Sequence, residues 1–156
     1  MGLKLRQHKA GDPELPAILA LIQSSFAYMD GIIDPPSSMH LLTLEAVEKQ
    51  ALTGEIWSLG PPLTACAFFT ITPRSLYIGK VAVAAQARGQ GAARRLIEHA
   101  VQRADHHYLP ALELQSRIEL TDNHAAFSAM GFVQSARTSH PGYSRPTSIT
   151  FRRALS

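Results

Sequence analysis

The sequence predicts an α/β fold of the α+β kind, with a mixed, mostly antiparallel central sheet of about seven strands flanked by helices. Three apolar segments between residues 55 and 84 are joined by short turns containing Pro, Gly or Ser, so neighbouring strands should run antiparallel. A long amphipathic segment then leads to a further strand at residues 111–115. Such a helical crossover makes the strands on either side of it parallel. A chain of 156 residues suits one domain, assigned to residues 1–156.

The individual strands are predicted from alternation, apolar runs and turn residues. Residues 3–7 alternate apolar and polar side chains, as in a half-buried strand. Residues 63–71 are more apolar and are expected to be buried on both faces. The complete set of predicted strands covers residues 3–7, 55–59, 63–71, 76–84, 111–115, 132–138 and 147–153.

The helices are predicted from apolar residues that recur at helical spacing. The first has Asp12 as its expected N-cap and Pro13 in its first turn. The second covers residues 41–52, the third begins near Gly89, and the fourth covers residues 121–130. His106 and His107, at the end of the third helix, are expected to interact with the helix dipole, and no metal site is predicted.

Composition narrows the classes of partner. No apolar run approaches the ~20 residues that span a bilayer, the N-terminus lacks the apolar core of a secretion signal, and no membrane partner is expected. The lone Cys66 lies in an apolar run, which favours a buried thiol in a cytoplasmic protein. Residues 1–78 carry five Lys/Arg against seven Asp/Glu, whereas residues 79–156 carry ten against five. The basic half suits a polyanionic small ligand, and its scattered cations argue against nucleic acid.

A glycine-containing loop between a strand and a helix is the main candidate site. It reads Gln-Ala-Arg-Gly-Gln-Gly over residues 86–91. The start of a helix offers unpaired N–H groups and a partial positive charge, and both stabilise phosphate oxygens. Gly89 and Gly91 would let the backbone approach a bulky anion, and Arg88 adds a cation. The loop lacks the endings of the P-loop and the dinucleotide fingerprint, so an anion-binding loop of another kind is predicted.

A second irregular segment, residues 28–38, has two interpretations. It contains Gly31 and two consecutive prolines, which break regular structure. It is either a linker between helices or the wall of a substrate pocket. In the second case Tyr28, Asp30 and Asp34 would face a polar or cationic group.

Taken together, the order of elements and three motifs resemble the GNAT superfamily of acetyl-CoA-dependent N-acyltransferases. The central motif, Gln/Arg-x-x-Gly-x-Gly/Ala, is met by Gln86, Gly89 and Gly91, and the strand before it is similar to the family's. Asn123, Ala126, Phe127 and the Gly131–Phe132 pair resemble a later family segment. The resemblance covers nearly the whole chain and is strongest over residues 76–132.

This resemblance implies a binding site for acetyl-CoA, with CoA as product. The backbone of Val81, Ala82 and Val83 would pair with the pantetheine arm, and Asn123 and Phe127 would lie against the cofactor. The parallel strands would splay, residues 81–83 from residues 112–115, to admit the thioester. The pyrophosphate would be held by the loop and helix start, formed by Arg88, Gly89, Gln90, Gly91 and Ala92.

The acid and base of acyl transfer are less defined. Transfer to an amine needs a base for the amine proton and an acid for the leaving thiolate. Family members often use a Tyr as the acid, and Phe127 stands at that position without a hydroxyl. Tyr143 and His140 are alternative candidates if their loop folds over the slot, and the competing interpretation is a hairpin connection with surface side chains. Glu113 is the first candidate for the base, and Asp30 and Asp34 are next; a carboxylate could alternatively only anchor the substrate.

Two functions follow from the sequence. The first is an N-acetyltransferase acting by direct transfer on a primary amine of a small molecule or peptide. The second is a CoA-binding regulatory or interaction module without turnover, which the missing hydroxyl keeps open. The exposed last hairpin is also a candidate surface for homodimer formation.

Overall fold

Seven strands and four α-helices follow the order that the sequence predicts, in a computed structural model that describes residues 2–155. The strands are β1 (Lys4–His8), β2 (Glu55–Gly60), β3 (Ala65–Ile71), β4 (Leu76–Val83), β5 (Ala111–Arg117), β6 (Val133–Thr138) and β7 (Ser148–Ala154). The helices are α1 (Leu15–Ala27), α2 (Leu44–Thr53), α3 (Ala92–His106) and α4 (Thr121–Ala129). Short 3₁₀ helices cover Met39–Leu41 and Ala85–Ala87.

All seven strands form one sheet in the order β1-β2-β3-β4-β5-β7-β6. The β4–β5 pair is parallel, whereas the other five neighbouring pairs are antiparallel. The predicted fold class is therefore confirmed. Since α3 connects β4 to β5, the crossover explains why these two strands alone run in the same direction.

A separate apolar cluster covers each face of the sheet. One cluster packs α3 on the sheet and includes Phe69, Leu96, Leu112 and Phe151. The other packs α1 and α2 on the opposite face around Ile56, with Cys66 and Phe68. Residues 65–69 of β3 are buried on both faces, as their apolar run predicts. Helices on both sides thus cover the centre of the sheet and leave its β6 edge exposed.

Strand β4 bends away from β5 after only three paired residues. Leu76, Tyr77 and Ile78 pair with residues 112–114, and no pairing follows. On its other edge β4 carries a bulge, because Phe68 pairs with Gly79 and Cys66 pairs with Ala82, which leaves one extra residue in β4. Residues 81–83 diverge from β5, as predicted, but the facing segment of β5 begins later than the predicted residues 112–115. Residues 112–114 remain paired, and the gap faces residues 115–117.

The helix starts differ slightly from the sequence prediction. The N-cap of α1 is Glu14 rather than Asp12. Asp12 instead accepts a hydrogen bond from the Glu14 amide at 2.8 Å in the preceding turn. The second helix begins at Leu44 rather than at residue 41, because Thr43 caps it by accepting a bond from the Ala46 amide.

Among residues 2–155, no helix is both long enough and apolar enough to cross a membrane. In the same part of the chain, His, Cys, Asp and Glu side chains form no group of three or more suited to a metal ion.

Candidate active site

A cavity of about 650 Å³ opens where β4 leaves β5. It extends from the end of α1 and the loop after it, across the diverging strands, to the start of α3 and one side of α4. The cavity therefore lies where the family resemblance places the cofactor slot. It brings together residues from both halves of the chain.

The start of α3 forms one end of this cavity. Gly89 and Gly91 have φ angles of +78° and +83°, a region that favours glycine. Nothing lies within 4 Å of where a Cβ would stand at either position, so this backbone faces open space. Arg88 also lines the cavity, with its guanidinium carbon 4.4 Å from the centre of the Tyr28 ring. A helix start with glycines and a cation suits a phosphate group, and these residues fit the cofactor predicted for them.

The backbone of β4 lines the middle of the cavity. The Ala84 amide donates to Thr64 on the β3 side, whereas the Val83 amide points to Ser25 Oγ at 3.4 Å. Because amides alternate along a strand, the Val81 amide faces the same way as that of Val83, away from β3. Val81 and Val83 line the cavity, while the Ala82 side chain is buried against Cys66 in the opposite core. The predicted backbone contact is thus available at Val81 and Val83, whereas the Ala82 backbone faces β3.

Helix α4 supplies the facing wall. Asn123 and Phe127 both line the cavity. The Phe127 ring packs edge-on against Phe132 and Phe151, with centroid distances of 6.2 and 5.5 Å. Phe127 therefore belongs partly to the core and offers an apolar surface to the slot. The side chain of Gln90, in contrast, bonds to the Gln86 carbonyl at 3.3 Å and does not line the cavity.

His140 is the one predicted acid or base that lines the cavity. Its backbone amide donates to Thr147 Oγ1 at 2.9 Å, and its ring Nδ1 makes a short hydrogen bond to the same oxygen. Thr147 is fully buried, so this anchor is firm. The ring is fixed through Nδ1, and Nε2 has no hydrogen-bonding partner within residues 2–155.

Glu113 lies outside the cavity lining. Its Oε1 accepts a hydrogen bond from Ser75 Oγ at 2.6 Å and lies 3.4 Å from Arg152 Nη1. Arg152 lies opposite Glu113 on β7, and Ser75 directly precedes β4, so both neighbouring strands hold the carboxylate at the sheet. Its catalytic role stays a prediction that this placement does not favour.

Tyr143 and Asp34 contact each other rather than the cavity. The Tyr143 hydroxyl donates to Asp34 Oδ1 at 2.6 Å, and Arg145 Nη2 lies 3.0 Å from Asp34 Oδ2. The bond to Asp34 raises the pKa of Tyr143. These contacts join the loop after α1 to the loop before β7. Asp30 is exposed and also lies outside the lining, whereas Tyr28 is part of it.

Lys80 and Tyr77 line the cavity and were not among the sequence candidates. Lys80 stands at the β4 bulge with a φ of +52°, and burial lowers the pKa of its amine. Tyr77 lies beside Gly79, and burial followed by the charge of Glu113 raises the pKa of its phenol. A lysine in an otherwise apolar strand was the available signal for Lys80. For Tyr77 the strand sequence offered none.

These features define a class of protein: one that holds a phosphate-bearing cosubstrate in a cleft between diverging parallel strands. The sequence model of the Acetyltransferase (GNAT) family matches residues 20–132. That match covers most of the chain, so the chain belongs to this family and is an acyltransferase.

Solved structures share the fold. The PaiA N-acetyltransferase from Thermoplasma acidophilum, in complex with coenzyme A, has a TM-score of 0.82 at 9% identity, covering 99% of this chain and 100% of that chain. The ribosomal-protein-S18-alanine N-acetyltransferase from Escherichia coli has a TM-score of 0.73 at 19% identity, covering 98% and 95%. A GNAT family acetyltransferase from Elizabethkingia anophelis with acetyl-CoA bound has a TM-score of 0.69 at 16% identity, covering 99% of both chains.

At these identities the similarity shows the fold alone. A search of curated protein sequences found no match.

Proposed function

We propose that this protein is an N-acetyltransferase that moves the acetyl group of acetyl-CoA directly to a primary amine of a small molecule or peptide. One observation carries the proposal: a single cavity joins the glycine-containing start of α3 to the gap between β4 and β5. The first can hold phosphate, and the second can admit a thioester and an amine. Relatives in fold that bind coenzyme A or acetyl-CoA support the choice of cosubstrate.

The chain's own residues would hold acetyl-CoA along the cavity. The amides from Arg88 to Ala92 would bind the pyrophosphate, and the Val81 and Val83 backbone would pair with the pantetheine arm. Asn123 and Phe127 would contact the same arm from the α4 side. Bound acetyl-CoA supplies an acetyl group activated as a thioester.

His140 is the base that the geometry favours. The Thr147 hydroxyl donates to the Thr138 carbonyl at 3.4 Å, so Nδ1–H is the donor to Thr147 Oγ1, and in this tautomer Nε2 is able to accept a proton. Glu113 and Asp34 are both engaged with arginines and lie outside the lining. His140 would therefore take the proton from the incoming amine, directly or through a water molecule.

The acid that protonates the thiolate is assigned to Tyr77. Phe127 cannot donate a proton, and the Tyr143 hydroxyl is bonded to Asp34. Tyr77 lines the cavity beside Gly79, and its raised pKa keeps the phenol protonated at neutral pH. A protonated phenol is the form that can donate to sulfur.

Replacing Gly89 with Glu tests the cosubstrate site. The positive φ strains any side chain there, and a carboxylate would repel the pyrophosphate. We expect CoA binding, measured by calorimetry, to weaken by at least about 100-fold. Gly142→Glu is the matched control, since Gly142 also has a positive φ but lies outside the cavity lining. Unchanged CoA affinity in Gly89→Glu would contradict the loop assignment.

His140→Gln tests the base. It should lower kcat for amine acetylation by about 10²- to 10⁴-fold while leaving CoA affinity unchanged. Release of CoA thiol is the readout, and a variant with wild-type kcat would remove His140 from the mechanism.

A CoA-binding module without turnover is the second candidate, favoured by Phe127 at the family's tyrosine position. It predicts CoA binding by the wild type with no thiol release across a broad panel of amines. A single amine that supports catalytic thiol release would exclude it.

A further inference from the structure

The charged side chains that line the cavity all carry the same sign. Within residues 2–155 they are Lys80, Arg88, Arg94 and Arg117, and every carboxylate lies outside the lining. A cationic amine would enter this cavity against a positive potential. The loop aspartates that the sequence offered as amine-binding groups do not change this, since Asp34 is paired with Arg145.

Three of these four cationic residues have a role assigned from their position or contacts. Arg88 and Arg94 lie at the start of α3, where the pyrophosphate is proposed to bind. Arg117 donates to the carbonyl oxygens of Pro35 and Pro36 at 2.6 and 3.2 Å and so holds the loop after α1. Lys80 is different.

Lys80 is half-buried, lines the cavity, and makes no ion pair with any residue between 2 and 155. Glu113, on the neighbouring strand β5, is already engaged, because it contacts Ser75 and Arg152. An amine in a partly desolvated position gains most from a ligand that brings the opposite charge.

Its place on β4 separates Lys80 from the phosphate-binding end. Three residues along a strand span roughly 10 Å, so Lys80 stands about that far before Val83, and the 3₁₀ turn at Ala85–Ala87 adds further distance before Gly89. The bulge at Lys80 is also the point where β4 and β5 part. Lys80 is thus at the reacting part of the cavity rather than at the pyrophosphate.

We propose that the acceptor is an amine that also carries an acid group, a carboxylate or a phosphate, and that Lys80 binds this group. The inference rests on the proposed N-acetyltransferase function and specifies its substrate class. Lys80 acts as a specificity residue: it neutralises the acid of the acceptor so that the amine can approach the thioester. This reverses the preference for a cationic acceptor that Asp30 and Asp34 suggested.

Paired amines that differ only in the acid group test the proposal. Thiol release from acetyl-CoA is measured with tyrosine against tyramine, β-alanine against ethylamine, and phosphoethanolamine against ethanolamine. The pairs separate a carboxylate from a phosphate. We expect kcat/KM to be at least about tenfold higher for the acid-bearing member of the preferred pair.

Lys80→Met should then raise KM for that acid-bearing amine by about 10- to 100-fold and leave KM for its partner without the acid group unchanged. Lys80→Arg should retain the preference, because it keeps the charge. Lys9→Met is the control, since Lys9 is exposed and outside the cavity lining. Equal kcat/KM within every pair, or a preference that survives Lys80→Met, overturns the proposal.

Two other outcomes also overturn it. Acetylated Lys80, detected by mass spectrometry after incubation with acetyl-CoA, would make it an acceptor instead. A preference for succinyl-CoA over acetyl-CoA that Lys80→Met removes would assign its charge to the acyl chain.

Calorimetry separates this proposal from the function on which it rests. N-acetyltyrosine and N-acetyltyramine, and the corresponding pairs for the other amines, are titrated into the CoA-saturated protein. Lack of thiol release with every amine would refute the transferase function. Tighter binding of the acid-bearing product, lost in Lys80→Met, would still support the role of Lys80, and equal binding would refute it.

Discussion

Substitution of Glu55 by Gln should remove about 3 kcal/mol of stability near neutral pH. The Glu55 carboxylate is only 6% exposed and accepts hydrogen bonds from Arg103 at 2.8 and 2.6 Å, with His107 Nε2 2.8 Å away. Burial would raise its pKa, but the hydrogen bonds from Arg103, His107 and Trp57 outweigh burial and lower it from 4.5 to about 2. A fall of that size corresponds to about 3 kcal/mol, an order-of-magnitude figure.

The direction of the Glu55 pKa shift determines how the stabilisation depends on pH. Because the folded-state pKa is the lower one, the stabilisation is complete above the unfolded pKa, about 4.5. It is lost as the pH falls towards about 2, where the folded carboxyl is protonated. Glutamine does not titrate, so the difference between wild type and Glu55→Gln should shrink across this range.

Urea unfolding at a series of pH values measures that difference. Glu45→Gln is the matched control, since Glu45 is exposed, and its effect should stay within about 0.5 kcal/mol. A Glu55→Gln difference that stays constant between about pH 5 and pH 2 would refute the reasoning. A difference below about 1 kcal/mol at neutral pH would do the same.

Two further predictions concern buried polar groups. Ser58→Ala should lower the free energy of unfolding, measured by chemical denaturation, by about 1–3 kcal/mol. The reason is that the fully buried His8 ring loses the 2.6 Å hydrogen bond between its Nε2 and Ser58 Oγ. A loss no larger than that of Ser144→Ala, at an exposed serine, would contradict this prediction. The Cys66 thiol, whose pKa burial raises to about 12, should not react with a disulfide reagent at pH 8 until the protein is unfolded. Rapid labelling of the native protein would contradict this burial.

Most of the fold was predictable from the sequence because local patterns and connection lengths determine it. Alternation, apolar runs and turns give all seven strands, and the crossover through α3 gives the single parallel pair. The start of α1 was harder, since Asp12 and Glu14 both precede Pro16 and the chain makes a turn between them. The bulge in β4 was not predictable, because it depends on the register against β3.

The site was predictable where the backbone forms it and less so where side chains from distant segments meet. The spacing of Gly89 and Gly91 predicts their loop from the local sequence alone. Glu113 and Asp34 form ion pairs with Arg152 and Arg145, which lie 39 and 111 residues further along the chain. No local pattern reports such ion pairs, so both carboxylates looked available.

The homodimer stays a prediction. Strand β6 forms one edge of the sheet and is exposed along its whole length, from Val133 to Thr138. This leaves its outer backbone edge open to pairing with another strand.

The two strands that border the cavity, β4 and β5, share one hydrophobic core. Three residue pairs connect β4 to β5, and residues of both strands also belong to the core that contains Phe69, Leu96 and Phe151. That core therefore supports both strands on the α3 side of the sheet. We expect its packing to influence the width of the gap, so that a change in the volume of a core side chain alters the fit of a ligand that this side chain does not contact.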